Sequence, residues 1–170
     1  MLSAGAAEPR VLFTFDGGGR GDWSPVNDTV MGGRSDGGLE IRDGILHFSG
    51  ELSLENNGGF ASIRHAAKLD LSDRTGIRLR VRGDGRSYQL RLNTNARYYG
   101  RPVAYGSTFR TQTGTWIEVD VPFDKLKASF RGRQLDGYRF DPGQIEVVGI
   151  LLGDKQAGPF HLQVERVVAY

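Results

Sequence analysis

The sequence predicts an all-β fold, a β-sandwich or jelly roll, from three observations. About ten short segments alternate apolar and polar residues at a spacing of roughly 8–12 residues. Glycine supplies 25 of the 170 residues without a collagen repeat, a level that marks a chain full of turns. No segment carries a sustained helical period, and only Asp124–Arg131 has room for a helical turn.

The elements follow in order. Val11–Phe15 ("VLFTF") is a first strand, ended by the glycine-rich "DGGGRGD". Leu39–Arg42 and Ile45–Leu52 flank Asp43-Gly44, two residues that tolerate positive φ and so signal a tight hairpin. Leu46, Phe48, Leu52 and Leu54 share one parity and are expected to face inward. Phe60–Ala66 is a further short strand. In "GIRLRVRGDGRSYQLRLN", Ile77, Leu79 and Val81 alternate with arginines, and after a turn at Gly83–Arg86, Tyr88, Leu90 and Leu92 alternate with Gln89, Arg91 and Asn93. Pairing Arg82 with Ser87 makes this a hairpin, with Arg80 opposite Gln89 and Arg78 opposite Arg91. Val103–Arg110 and Trp116–Val121 continue the series. Ile145–Leu152 is almost continuously apolar, as befits a central strand covered on both faces. The last strand places Phe160, Leu162 and Val164 inside.

No composition break divides the chain, so it reads as a flexible segment over 1–10 followed by one domain over 11–170. The net charge of +2, with a sequence pI near 9.0, is too weak a field to indicate nucleic acid. The absence of cysteine rules out disulfides, thiolate catalysis and cysteine-based metal sites. No apolar run approaches the ~20 residues a membrane helix needs. The first residues suit a cytoplasmic terminus, or the remnant of a processed export signal.

Catalytic motifs are missing: there is no nucleophile elbow, Walker A loop, HExxH or EF-hand loop. The glycine-rich "GGGRG" lacks the Lys-Ser/Thr pair of a phosphate loop and reads as a strand exit. Arg20-Gly21-Asp22 spells an adhesion tripeptide from three common loop residues. His47 and His161 fall at outward positions of different strands and His65 near a strand end, without metal-ligand spacing. The sequence thus predicts neither metal nor cofactor. Asp16 and Glu165 with backbone carbonyls are the alternative pair for calcium. The same carboxylates, with Asp28, Asp84 and Asp154, equally suit turn capping. Asp28 with Asp84 is the one candidate acid/base pair.

Two binding constellations remain. The arginine-bearing hairpin face, Arg78, Arg80, Gln89, Arg91 and Asn93, bordered by Tyr98, Tyr99, Tyr105 and Trp116, sets planar donors beside aromatic platforms and suits sugars or carboxylates. The other reading is an ordinary solvated sheet face. The second constellation is "NDTVMGGRS", expected to form an ordered loop anchored by Trp23 and Met31. Such a loop sets Asn27, Asp28 and Ser35 beside Asn57, Arg64 and the Lys155-Gln156 turn as a polar rim. Alternatively, these residues only satisfy one another and brace the sheet end.

Five blocks, "WSPVNDTVMGGRS", "LSLENNGGFASIR", "LRVRGDGRSYQLRL", "WIEVDVPF" and "GILLGDKQAGPFHLQVERVVAY", resemble in order those of the complex I intermediate-associated protein 30 (CIA30) family, over about Phe13 to Tyr170. The resemblance implies a galactose-binding-like jelly roll, similar to carbohydrate-binding modules, with no catalytic residues to carry over. It implies a non-catalytic assembly factor or chaperone whose partner is a protein client, a respiratory-complex intermediate among the possibilities. It suggests a stand-alone, bacterial member. The alternative is a carbohydrate-binding module using the arginine and aromatic face.

Overall fold

The computed structural model describes residues 8–17 and 23–170. The tripeptide Arg20-Gly21-Asp22 and most of the glycine-rich strand exit lie outside them. Among the described residues there are thirteen strands: β1 (Arg10–Thr14), β2 (Trp23–Pro25), β3 (Asp36–Arg42), β4 (Ile45–Leu52), β5 (Ala61–Leu69), β6 (Gly76–Arg82), β7 (Ser87–Tyr98), β8 (Arg101–Arg110), β9 (Trp116–Pro122), β10 (Lys127–Phe130), β11 (Arg133–Gln134), β12 (Ile145–Leu152) and β13 (Gly158–Ala169). One sheet has six strands in the order β3-β4-β13-β6-β9, with β1 also on β13. The other has seven, in the order β11-β10-β8-β7-β12-β5-β2. The described strand pairings are all antiparallel, so the fold is a β-sandwich.

The two sheets enclose the side chains that the alternation marks as inward. Leu46, Phe48, Ile77, Leu79, Val81, Tyr88, Leu90 and Leu92 are fully buried. The Asp43-Gly44 turn has both residues at positive φ, 53° and 74°, which twists β3 onto β4 in the register the hairpin signal predicts. β12 lies between β7 and β5, and its outward Leu151 is buried along with Val148 and Ile150. Leu54 departs from expectation at 45% exposure: β4 ends at Leu52, and beyond it the period-2 rule has no sheet to act on. The helical turn at Asp124–Arg131 shrinks to a 3-10 turn at Phe123–Lys125, followed by strand β10. Arg10, the last residue of the expected 1–10 segment, belongs to β1 and pairs with Ala169.

The hairpin drawn through Arg82 and Ser87 does not exist. β6 pairs with β13 and β9 in the six-stranded sheet, whereas β7 pairs with β8 and β12 in the seven-stranded one. Gly83–Arg86 is therefore an arch that carries the chain from one layer to the other, a step of about 10 Å. Period-2 alternation reports which face of a strand is buried, not which strand lies beside it, so the inward residues are as expected and the pairing is not.

Side chains of the arch hold it in place. The Asp84 carboxylate accepts the Tyr88 hydroxyl at 3.0 Å, the Arg86 amide at 3.1 Å and the His161 amide at 2.8 Å. Arg86 forms a two-pronged pair with Asp154, Nε to Oδ2 at 2.9 Å and Nη2 to Oδ1 at 2.7 Å. It also donates to the carbonyls of Gln156, Gly158 and Pro159. Gly83 is required here by a close approach, since a Cβ would lie 2.3 Å from Thr111. Only 11% of the Arg86 and 9% of the Asp154 side chain is exposed, so breaking the pair strands a desolvated charge. Arg86→Met is expected to cost about 3–5 kcal/mol, and adding Asp154→Leu to recover part of it, as read from urea unfolding of the four proteins in a double-mutant cycle. A loss under ~1 kcal/mol would mean that the pair does not hold the arch.

Candidate functional site

The arch separates the residues that the hairpin would have gathered. Arg78, Arg80 and Trp116 belong to the outer face of the six-stranded sheet, and Gln89 and Arg91 to the outer face of the seven-stranded one. On the first face the arginines are partnered: Arg78 with Asp120 at 2.6 Å, Arg80 with Glu165 at 2.7 Å and Arg166 with Glu118 at 3.3 Å. Trp116 packs beneath Arg80 and Arg82, 5.6 and 5.0 Å from ring centroid to guanidinium carbon. Glu165 is thereby committed to Arg80, and among the described residues no three acidic or histidine side chains form a metal-holding group. Tyr105 faces inward, 1% exposed, and its hydroxyl donates to the Arg139 carbonyl at 3.2 Å. Tyr98 packs on Phe130 and Tyr138 at the far end of the sandwich, while Tyr99, in the β7–β8 turn, is 89% exposed.

The seven-stranded sheet presents a different outer face. Its register places Gly106, Arg91, Gly149, Arg64 and Ser24 in one row across β8, β7, β12, β5 and β2. Gly149 leaves no side chain between the two arginines, and the Arg64 stem leans over it, with Cγ only 3.3 Å from where a Cβ would stand. Arg91 Nε is buried without a hydrogen-bond partner, and Nη2 reaches only Ser129 Oγ, at 3.4 Å. Burial, and then the neighbouring Arg64 charge, push Arg91 below the ordinary guanidinium value, and burial does the same to Arg64. Both remain cations at any physiological pH. Gln89 lies one row away, and Asn93 donates to the Val103 carbonyl at 2.8 Å.

The loop "NDTVMGGRS" closes the end of the sandwich where β5 begins and β12 ends. Asp28 is fully buried. Its Oδ2 accepts the Ser35 hydroxyl at 2.5 Å, the Gly59 amide at 2.7 Å and the Phe60 amide at 3.3 Å, and Oδ1 accepts the Ser35 amide at 2.9 Å. Ser35 Oγ in turn accepts the Ser53 amide at 2.9 Å. Burial alone would push the Asp28 carboxyl up. The bonds from Ser35, Gly59 and Phe60 outweigh it and hold the group below the ordinary carboxylate value. The glycines of the motif follow from this carboxylate: a Cβ at Gly33 would sit 2.4 Å from its Cγ, and Gly32 turns the chain at φ 87°. Asn27 donates to the Gly37 carbonyl at 2.9 Å. Trp23 is buried against Phe13 and Phe15; the side chains of Met31 and Asn57 lie outside the described set. The structure thus joins Asp28, Ser35 and the Gly59 segment. Lys155 and Gln156 stand at the same end, in the turn clamped by Arg86, whereas Arg64 lies out on the sheet face beside Arg91.

Sequence spacing also concealed a histidine pair. His47 and His161, on adjacent strands β4 and β13, have Nδ1 and Nε2 2.8 Å apart. Arg42 donates to His47 Nε2 at 3.4 Å, so His47 carries its proton on Nδ1 and donates to His161. His47 alternates with the inward Leu46 and Phe48, so it takes the outward position expected of it, yet it is covered there, 8% exposed. A separation of 114 positions in the chain left no local signal.

Comparison with known proteins places these features in a family context. The family model described as Complex I intermediate-associated protein 30 (CIA30) matches residues 13–164. The chain is similar to the mitochondrial Complex I intermediate-associated protein 30 of Mus musculus, 27% identical over 164 residues that span 84% of this chain and 50% of the relative. It is also similar to the probable mitochondrial counterpart of Caenorhabditis elegans, 27% identical over 138 residues, 76% of this chain and 39% of that one. The chain therefore spans half or less of the length of these relatives. In fold it is similar to the family 11 carbohydrate-binding module of a cellulosomal cellulase of Clostridium thermocellum. There the TM-score is 0.70 at 12% identity, covering 96% of this chain and 95% of the module.

The buried Asp28 network generates a stability prediction with a pH signature. Asp28→Asn is expected to cost about 1–3 kcal/mol at neutral pH, a fall in melting temperature of about 2–4 °C per kcal/mol for a chain of this size. The folded carboxyl lies below its unfolded value of 3.8, so the unfolded state binds the extra proton. The stabilisation is fully present above that value and is lost as pH falls through the folded one. The acid limb of the stability curve should accordingly be flatter in Asp28→Asn than in the native chain. Equal acid limbs and equal melting temperatures would sink the brace.

Proposed function

The chain belongs to the complex I intermediate-associated protein 30 family, and on that premise we propose that it is a non-catalytic binding module. It works as an assembly factor that holds a protein client, an intermediate of a respiratory complex, against the outer face of the seven-stranded sheet. The observation that carries this reading is the family match over residues 13–164, to relatives named for their association with complex I intermediates.

The chemistry of the carboxylates supports a non-catalytic role. Asp28, Asp84 and Asp154 are occupied by amides, hydroxyls and a guanidinium. A general acid or base must instead present its carboxyl to a substrate. Asp28 is also far too enclosed to pair with Asp84 across a sugar, since it is fully buried. A carbohydrate reading draws on the sandwich fold alone. Sugar-stacking modules need an aromatic ring on the open face, and the described outward positions of β5, β12, β7 and β8 hold none.

The test uses the full chain, immobilised and incubated with detergent-solubilised membranes of the organism that encodes it, with captured proteins identified by mass spectrometry. Subunits of the respiratory NADH dehydrogenase complex should be enriched over a control with an unrelated β-sandwich. Binding of a neutral oligosaccharide on a glycan array, with no such subunit captured, would overturn the protein-client reading. Turnover of a glycoside or ester lost in Asp28→Asn would overturn the non-catalytic one.

A further inference from the structure

We propose that Arg64 and Arg91 form a carboxylate-binding site across Gly149 that takes an Asp or Glu side chain of the client; this rests on the reading that the client is a protein. The two guanidiniums stand on strands β5 and β7, either side of β12, and the residue between them in both registers is Gly149. Gly106 flanks Arg91 on the other side, with a Cβ position 3.7 Å from Arg91 Cγ. Gly149 thus leaves no side chain between the two cations, and Gly106 leaves none on the outer side of Arg91.

Among the described residues, neither cation is neutralised from within. No ion pair among the described residues includes Arg64 or Arg91, and Arg91 Nε is buried with nothing to donate to. The other sheet is an internal control: its arginines meet Asp120, Glu165 and Glu118, so this chain pairs sheet-face arginines elsewhere. Arg91 is partly buried beside the exposed Arg64, and an anion between them offsets the repulsion that Arg91 bears. The planar guanidinium fork matches a carboxylate bidentately. With no ring beside it for stacking, the site offers a sugar little beyond charge.

The experiment titrates the full chain at two salt concentrations with hexaglutamate, and with hexaglutamine, oligogalacturonate and inorganic phosphate as comparison probes, by calorimetry. Hexaglutamate should bind saturably, more weakly at higher salt, and Arg64→Gln and Arg91→Gln should each weaken it by about tenfold or more. The melting temperature of Arg91→Gln should equal or exceed that of the native chain, because an unpaired charge has been removed. A lower melting temperature would make Arg91 a structural residue and overturn the site. So would hexaglutamate binding that is absent, unchanged in Arg64→Gln/Arg91→Gln, or matched by oligogalacturonate or phosphate. Capture of the respiratory client at undiminished affinity by that double variant would overturn the site and leave the client reading intact. Hexaglutamate binding by a chain that captures no such client would overturn the client reading and keep the anion site.

Discussion

The crossing of the chain between sheets at Gly83–Arg86 is the constraint on which the rest of the molecule depends. With β6 and β7 in different layers, β13 pairs with β6 in one and β12 with β7 in the other. The loop between β12 and β13 then has to make the same crossing next to the arch. The two crossings are joined by the Arg86–Asp154 pair and by the Asp84 bond to the His161 amide. The arch backbone is bonded to the segment after β8, the Gly114 amide donating to the Gly83 carbonyl and the Thr111 amide to the Arg86 carbonyl. To this is added a charged pair in a dry setting, where charge-assisted bonds are strong and their loss is costly.

The same end of the sandwich is closed a second time by Asp28. Its carboxylate does for the loop over Asn27–Ser35 what Arg86 does for the arch, collecting amides that no strand can pair. It explains why the motif combines a carboxylate, a hydroxyl and two glycines: acceptor, donor, a turn at positive φ and a position with no room for a Cβ.

The two outer faces show how one residue type serves two ends. Arginines along β6 lie opposite β9 carboxylates and over aromatic rings, an exposed lattice of the kind that contributes little per pair but keeps a sheet face wet and unattractive to other strands. Arginines on β5 and β7 face glycines and keep their charge unspent. The difference lies in the neighbouring strand and not in the arginine itself.

The sequence by itself determined the all-β class, the inward residues of most strands, the Asp43-Gly44 hairpin and the family. Alternation, turn chemistry and block order are local properties, written within a few residues of one another. The order of strands within the sheets was decided only in the tertiary structure. With it came the separation of Arg80 and Trp116 from Gln89 and Arg91, the meeting of Arg64 with Arg91, and the contact of His47 with His161. In each case the partners come from strands distant in the chain. Period-2 patterning is blind to which neighbour a strand takes, because a buried face looks the same in either sheet. The burial of Asp28 was likewise invisible locally, since it depends on amides at Gly59 and Phe60, some thirty residues away, arriving where the sandwich closes.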